Sequence, residues 1–284
     1  MTKIDIGLPI SVARMIIQRI QGMVPPDSLI IRRVQQKEQE PHSCIETEIP
    51  EITATHQISI MKDRNRMMAS GYYESCSKVL PQMRKDVAQR GLDDSDGLFT
   101  PVCFVPLVII YNRTIDHPPR SWQDLCDSRW RGKIAVPSPD ILQKLVKFYA
   151  KDLLGSKAEG LFSNVVFEGL PVDVNQKVDD GSFDIGVVSL PFSRSSRRGN
   201  ISLCWPEEGA LLLPEVLIHK RGAGGDLLKV SEYLLSLDVQ HYFSDIGVMV
   251  PVHPDAPLPF EVTEHAMNFY WKGWDWFIAG INEV

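Results

Sequence analysis

No stretch of this 284-residue chain stays apolar for the roughly 18 residues that a membrane-spanning helix needs. It carries no G-x-S-x-G elbow, no Gly-rich phosphate loop ending in Lys-Ser/Thr, no G-x-G-x-x-G turn and no H-E-x-x-H helix, so nothing in it gives positive support for an enzyme. Positive charge is not in excess: 30 Lys and Arg stand against 36 Asp and Glu, a net charge of −6, which argues against a broad nucleic-acid or anionic-membrane surface. Cysteine is sparse. The five thiols, Cys44, Cys76, Cys103, Cys126 and Cys204, are odd in number and widely spaced, which excludes a CxxC pair and a zinc pattern. They read as scattered buried or free thiols and fit a reducing compartment. No charged leader with an apolar core precedes the first strand, Ile4–Gly7. These two absences lead to the expectation of a cytoplasmic protein, with a trimmed mature form of a periplasmic or extracellular protein as the alternative. Internal repeats and low-complexity segments are lacking too.

What is present is an α/β alternation long enough for about two domains. Ile4–Gly7 reads as a strand, and Val12, Met15, Ile16 and Ile20 share one face of a helix that Ser11 is placed to cap. Ser28–Val34 reads as the next strand, Ile58–Met61 as a short third, and Ser77–Arg90 as a helix. Val105–Tyr111 is β-branched without a polar face, the pattern of a strand covered on both sides. Ser121 caps a short turn, Trp122 and Leu125 face inward, and the chain re-enters the sheet at Lys133–Val136 before Asp140 opens an amphipathic helix. Phe183–Val188 and Ile201–Trp205 read as further strands, Asp226–Leu237 as a helix, and Glu264–Ile281 as an aromatic-rich helical tail.

The run Ser121-Trp122-Gln123-Asp124-Leu125, followed by Trp130-Arg131-Gly132-Lys133-Ile134-Ala135-Val136-Pro137, resembles bacterial ABC-transporter substrate-binding proteins of the ferric-iron, polyamine and thiamine-type branch. Asp184-Ile185-Gly186, Pro206-Glu207-Glu208-Gly209 and the segment from Gln240 to Pro251 resemble the same family, whereas the likeness is weak over the first hundred residues. The resemblance implies a two-lobed α/β fold of the type II periplasmic-binding kind, with mixed sheets flanked by helices and a ligand cleft between lobes. One lobe would comprise 1–104 plus 213–260 and the other 105–212 plus 261–284. The implied function is a solute-binding protein that captures a metal ion, an oxyanion or a small organic ion, without a cofactor, and works with an ABC permease. A cytoplasmic ligand sensor and an enzyme on the same fold, as in thiamine-precursor synthesis, are the alternatives, the latter drawing on Cys103, His56 or His117.

In such a fold ligands meet the turns at strand ends, which nominates Ser11, Arg64, Ser138, Asp140, Phe192, Ser193, Arg194 and Glu207. Ser11 and Ser138 stand at helix starts, where unbonded amides and the helix dipole attract anions; ordinary capping serves them equally well. Arg194, with Arg197 and Arg198, has the guanidinium geometry to grip a carboxylate or phosphate, and Arg64 and Arg66 share that chemistry, though a solvated basic run explains both. Phe192 would favour a cation by ring contact. Ferric-binding members of the family use adjacent tyrosines at the loop that here reads Leu190-Pro191-Phe192-Ser193, so iron binding of that kind is in doubt. His42 and Cys44, with His56, have the chemistry of a soft-metal site, and whether a metal binds stays open.

Overall fold

A computed structural model describes residues 4–25, 29–31, 51–56, 58–76, 82–94, 97–138, 140–223 and 225–283. His42 and Cys44, with the proposal built on them, lie outside these residues. The chain divides into two compact units, one of Met1–Phe104, Pro214–Pro259 and Lys272–Ile278, the other of Val105–Leu213, Phe260–Trp271 and Ala279–Val284.

In the first unit, β1 (Ile4–Gly7), β2 (Leu29–Ile31) and β3 (Ile52–Thr55) run parallel, with Ile4 beside both Leu29 and Ile52. Between β1 and β2 lies α1 (Ile10–Gln21), which buries Val12, Ile16 and Ile20 of the face its apolar spacing predicts but leaves Met15, the fourth residue of that face, exposed. Ile58–Met61 is not the third strand. It belongs to the short helix α2 (Ile58–Lys62), because Ile52–Thr55 already fills the place beside β1, and the chain turns at His56. Helix α3 (Arg64–Ser70) and strand β4 (Tyr73–Glu74) follow. Of the expected Ser77–Arg90 helix, residues 77–81 lie outside the described chain, and only α4 (Lys85–Ala88) is helical. The amide of Arg84 bonds instead to the Val252 carbonyl.

Strand β5 (Thr100–Asn112) starts in the first unit and ends in the second. The second unit continues with β6 (Ile134–Val136), α5 (Asp140–Leu154), α6 (Ala158–Asn164), β7 (Val165–Phe167), α7 (Pro171–Asp179), β8 (Ile185–Ser189) and β9 (Ile201–Cys204). Strands β6, β7 and β8 are parallel to one another, while β5 runs antiparallel to β8 and β9. Ile110, Ala135, Val174, Val178, Val188 and Ile201 form one core cluster there, and Phe192 packs on its edge. Gly186 is required on β8 because a Cβ would meet Val174, Ile110 and Val178 side chains at 2.9–3.1 Å, so α7 lies close against the strand.

Strand β10 (Ala210–Lys220) returns to the first unit and pairs antiparallel with β3. Before it, Gly209 takes φ +107°, with a Cβ site 2.7 Å from the Phe269 backbone, so any side chain would collide with the chain beside it. The expected single helix at Asp226–Leu237 is two, α8 (Gly225–Leu234) and α9 (Leu237–Asp245), broken where Ser236 is extended. After α9, β11 (Val250–Pro251) pairs with β5. The aromatic tail is likewise not one helix. It consists of α10 (Phe260–Glu264), β12 (Phe269–Tyr270) and α11 (Trp274–Asn282), because Ala266 and Met267 adopt left-handed backbone angles that end the first helix. Lys272–Ile278 groups with the first unit, where Trp274 stacks at a tilt on Phe99 and bonds the Leu92 carbonyl.

Candidate functional site

Parallel α/β sheets present ligands with the carboxyl ends of their strands and the helix starts that follow. In the first unit this end is made by Gly7, Thr55 and His56, since the register sets Gly7 beside Thr55. Helix α1 opens two residues after Leu8. Its N-cap is Pro9, not Ser11, and no side chain caps it. The amides of Val12 and Ala13 bond the Pro9 carbonyl, which leaves those of Ile10 and Ser11 ahead of the first intrahelical bond, and no acidic residue stands in the first turn. Ser11 therefore lies inside the helix as its second residue, because the fixed φ of Pro9 starts the helix earlier than a serine cap would.

Across from Thr55 the antiparallel register of β10 places Val216, and so brings Glu215 opposite His56. His56 Nδ1 lies 3.2 Å from Glu215 Oε2, and the ring also hydrogen-bonds the Gly7 backbone. The histidine side chain is 14% exposed and the glutamate 0%. Burial works against the charge of the ring. The hydrogen bond and charge of Glu215, with the Gly7 contact, outweigh it and hold the imidazole above its usual value. Glu215 Oε1 has no hydrogen-bond partner among the described residues.

In the second unit the equivalent end gathers Ser138, Gly169 and the turn Leu190–Arg194. Ser138 precedes α5. Both its amide and its hydroxyl donate to the Gly169 carbonyl, at 2.9 and 2.8 Å, tying the end of β6 to the turn after β7. Asp140 is the first residue of α5. Phe192 is half-buried against the core, its carbonyl accepting from Asn175, and the Ser193 hydroxyl donates to the Leu190 carbonyl at 2.8 Å. Arg194 grips Glu261 with both arms, Nε to Oε1 at 2.7 Å and Nη2 to Oε2 at 2.6 Å, and this hydrogen bonding holds the glutamate below the usual carboxylate range. Glu207 is exposed on the turn before β10, its amide bonded to the Arg120 carbonyl. Arg197 and Arg198 are exposed on a loop wrapped around Asp179, whose carboxylate accepts from their two amides, the Asn200 amide and the Ser196 hydroxyl at 2.6–3.1 Å.

Arg64 is the first residue of α3. It is buried in a two-armed bond with Asp94, at 2.6 and 3.2 Å. Ser138 follows β6, and Phe192, Ser193 and Arg194 follow β8, two parallel strands, so the four stand at one end of that sheet. Sequence reasoning missed Glu215. Its signal was a single carboxylate inside the apolar run Ala210–Ile218, but its partner lies 159 residues away. His56 pairs with that carboxylate, and among the described residues no group of three His, Cys, Asp or Glu side chains could hold a metal ion. Cys103 is fully buried, with its thiol pushed far above the ordinary value by burial and by the charge of Glu215.

The family of bacterial extracellular solute-binding proteins matches residues 48–279. A putative 2-aminoethylphosphonate-binding periplasmic protein of Salmonella typhi is 26% identical over 201 residues, 64% of this chain and 59% of the relative, and its counterpart in Salmonella typhimurium matches equally. The match thus spans less than two thirds of the length of these relatives. Among solved structures, a ferric-binding protein from Campylobacter jejuni superposes with a TM-score of 0.70 at 15% identity, covering 100% of this chain and 96% of that one. The apo ferric ion-binding protein A of Pasteurella haemolytica gives 0.74 at 12%, covering 99% and 94%. The fold is the mixed α/β type II periplasmic-binding fold. These matches overturn the expectation of a cytoplasmic location, since the family is extracellular and the relatives periplasmic. Thiols covered by the core do not report on the redox state of their compartment. Burial pushes Cys76 up to about 11 and Cys204 to about 12, and a buried neutral thiol is inert in either redox compartment.

Proposed function

Since the chain belongs to the bacterial extracellular solute-binding proteins, we propose that it captures a small phosphonate- or phosphate-like oxyanion for an ABC-type permease. The observation that carries this reading is an uncapped α1 start just after Gly7, whose backbone the His56 ring bonds while Glu215 holds the same ring. Helix amides and a charged ring are the donors that an oxyanion needs. The relatives that share sequence, and not fold alone, are named for an aminophosphonate. In the same reading the two compact units are the two lobes. In the second, Ser138, Phe192, Ser193 and Arg194 are the residues offered to the ligand, with Asp140 at the start of α5 and Glu207 beside β10, and Arg194 is held by Glu261. Arg64 is assigned to stability. In this reading the ligand is bound and released unchanged, and Cys103 is a buried neutral thiol that takes no part.

Isothermal titration of the purified protein with 2-aminoethylphosphonate, methylphosphonate, inorganic phosphate and ferric citrate tests the reading. Saturable one-to-one binding of at least one of the first three is expected. Binding of ferric citrate alone would replace the oxyanion with iron.

A further inference from the structure

The pair formed by His56 and Glu215 has a feature that simple stability does not explain. A carboxylate sealed inside the sheet is expected to have both oxygens satisfied, and an apolar residue of like volume would hold β10 against β3 as well or better. Here one oxygen meets the His56 ring and the other has no partner among the described residues. The order of burial is also directional, because the glutamate is fully covered and the histidine partly open. The ring bonds the Gly7 backbone, three residues ahead of the first residue of α1, so whatever fixes the ring also fixes what stands at the start of that helix.

Resting on the oxyanion reading, we propose that Glu215 is a positioning residue of the ligand site, holding the His56 ring from its buried side so that the ring faces a bound anion as a cation. A carboxylate behind a histidine fixes both the orientation and the charge of the ring, as such partners do for metal-bound histidines. Other ionisable groups on the neighbouring elements are Asp5 on β1, Cys103 and Tyr111 on β5, His219 and Lys220 further along β10, Lys62 at the end of α2, and Arg14 and Arg19 on α1. The Cys103 thiol is neutral. Of the charges, that of Glu215 bears on the ring directly.

The test is methylphosphonate affinity, measured by titration calorimetry from about pH 5.5 to about pH 9, for the natural protein, Glu215→Gln and Glu215→Asp, with the His56 ring protons followed by NMR. The ligand's own ionisation is common to all three proteins and cancels in their ratios. Glu215→Gln should bind within about twofold of the natural protein at the acid end, where the ring is charged in both. Near pH 7.5 it should fall about tenfold behind, with the His56 midpoint at least about one pH unit lower. Glu215→Asp should recover most of that loss. A loss that is the same at every pH, or an unmoved His56 midpoint, would assign Glu215 to structure and overturn the inference while leaving the oxyanion site intact. If no phosphonate or phosphate binds the natural protein at any pH, the oxyanion reading fails, and the inference with it. Should Glu215→Gln not fold, the natural protein decides: its His56 midpoint must rise on adding methylphosphonate, and an unmoved one overturns the inference.

Discussion

The guanidinium of Arg64 holds both oxygens of the Asp94 carboxylate, which also accepts the Phe99 amide at 2.9 Å, and the two side chains are 10% and 4% exposed. The arginine thereby pins the chain that leads into β5. Removing one member of a buried ion pair leaves the other charged and unsolvated, at a cost of about 3–5 kcal/mol. Arg64→Ala is expected to lower the melting temperature by roughly 10 °C. Its affinity for phosphonate should stay within about twofold of the natural protein. A loss of affinity without a loss of stability, measured by calorimetry on one preparation, would return Arg64 to the ligand site.

Asp179 organises the exposed loop that carries Arg197 and Arg198, because Ser196, Arg197, Arg198 and Asn200 all donate to its two oxygens. Burial raises its carboxyl, but these donors win and hold it below the ordinary value. Asp179→Ala removes a buried acceptor from four donors and so frees the loop at a cost in stability of about 1–3 kcal/mol. Trypsin cleavage after Arg197 or Arg198 should accelerate at least about tenfold under conditions where the variant is still folded. Unchanged cleavage would mean that the loop keeps its shape by other means.

His219 is buried on β10 against the hydroxyl of Ser231, and its pKa is lowered to about 4 by burial, which outweighs the charge of Glu74. The folded chain thus refuses a proton that the unfolded chain accepts near pH 6.5. Stability from this group is complete above about 6.5 and is lost as pH falls from there to about 4, by about 3 kcal/mol in total. Denaturant titrations at both ends of that window should show a smaller acid loss in His219→Gln than in the natural protein.

Gln240 uses its whole amide. Nε2 donates to the carbonyls of Val102 and Leu234, and Oε1 accepts from the amides of Val252 and His253, so one buried side chain joins β5, α8 and the turn after β11. Gln240→Ala takes the partner from three buried backbone groups and one half-buried one and should cost about 3 kcal/mol or more. Gln240→Glu keeps the acceptor and loses the donors, and should fall between the two in a denaturant titration.

Much of the fold was legible because local rules govern it. The apolar face of α1, the two-sided burial of β5 and the Ser121 turn followed from spacing and composition alone, and the Ser121 hydroxyl does accept the Asp124 amide. The motif positions gained physical reasons once packed: Gly186 for the close approach of α7, Gly209 for its left-handed turn, Gln240 for its four bonds. Errors clustered where local signals compete. Ile58–Met61 is as apolar as a strand but has no free place beside β1, and two left-handed residues divide a tail whose aromatic spacing suits a helix.

The sequence by itself determined the α/β class, the order of most elements and the family, because hydrophobic periodicity and turn chemistry are properties of neighbouring residues. It could not assign partners to charges. Arg64 finds Asp94, Arg194 finds Glu261 and His56 finds Glu215 only through strand register and helix packing across 30, 67 and 159 positions of chain. Tertiary structure alone decided which arginines are already spent on carboxylates and which histidine meets a carboxylate buried in the sheet. The reason is that a Coulomb pair depends on distance in space and on exclusion of water, and neither is written in the spacing of residues along the chain.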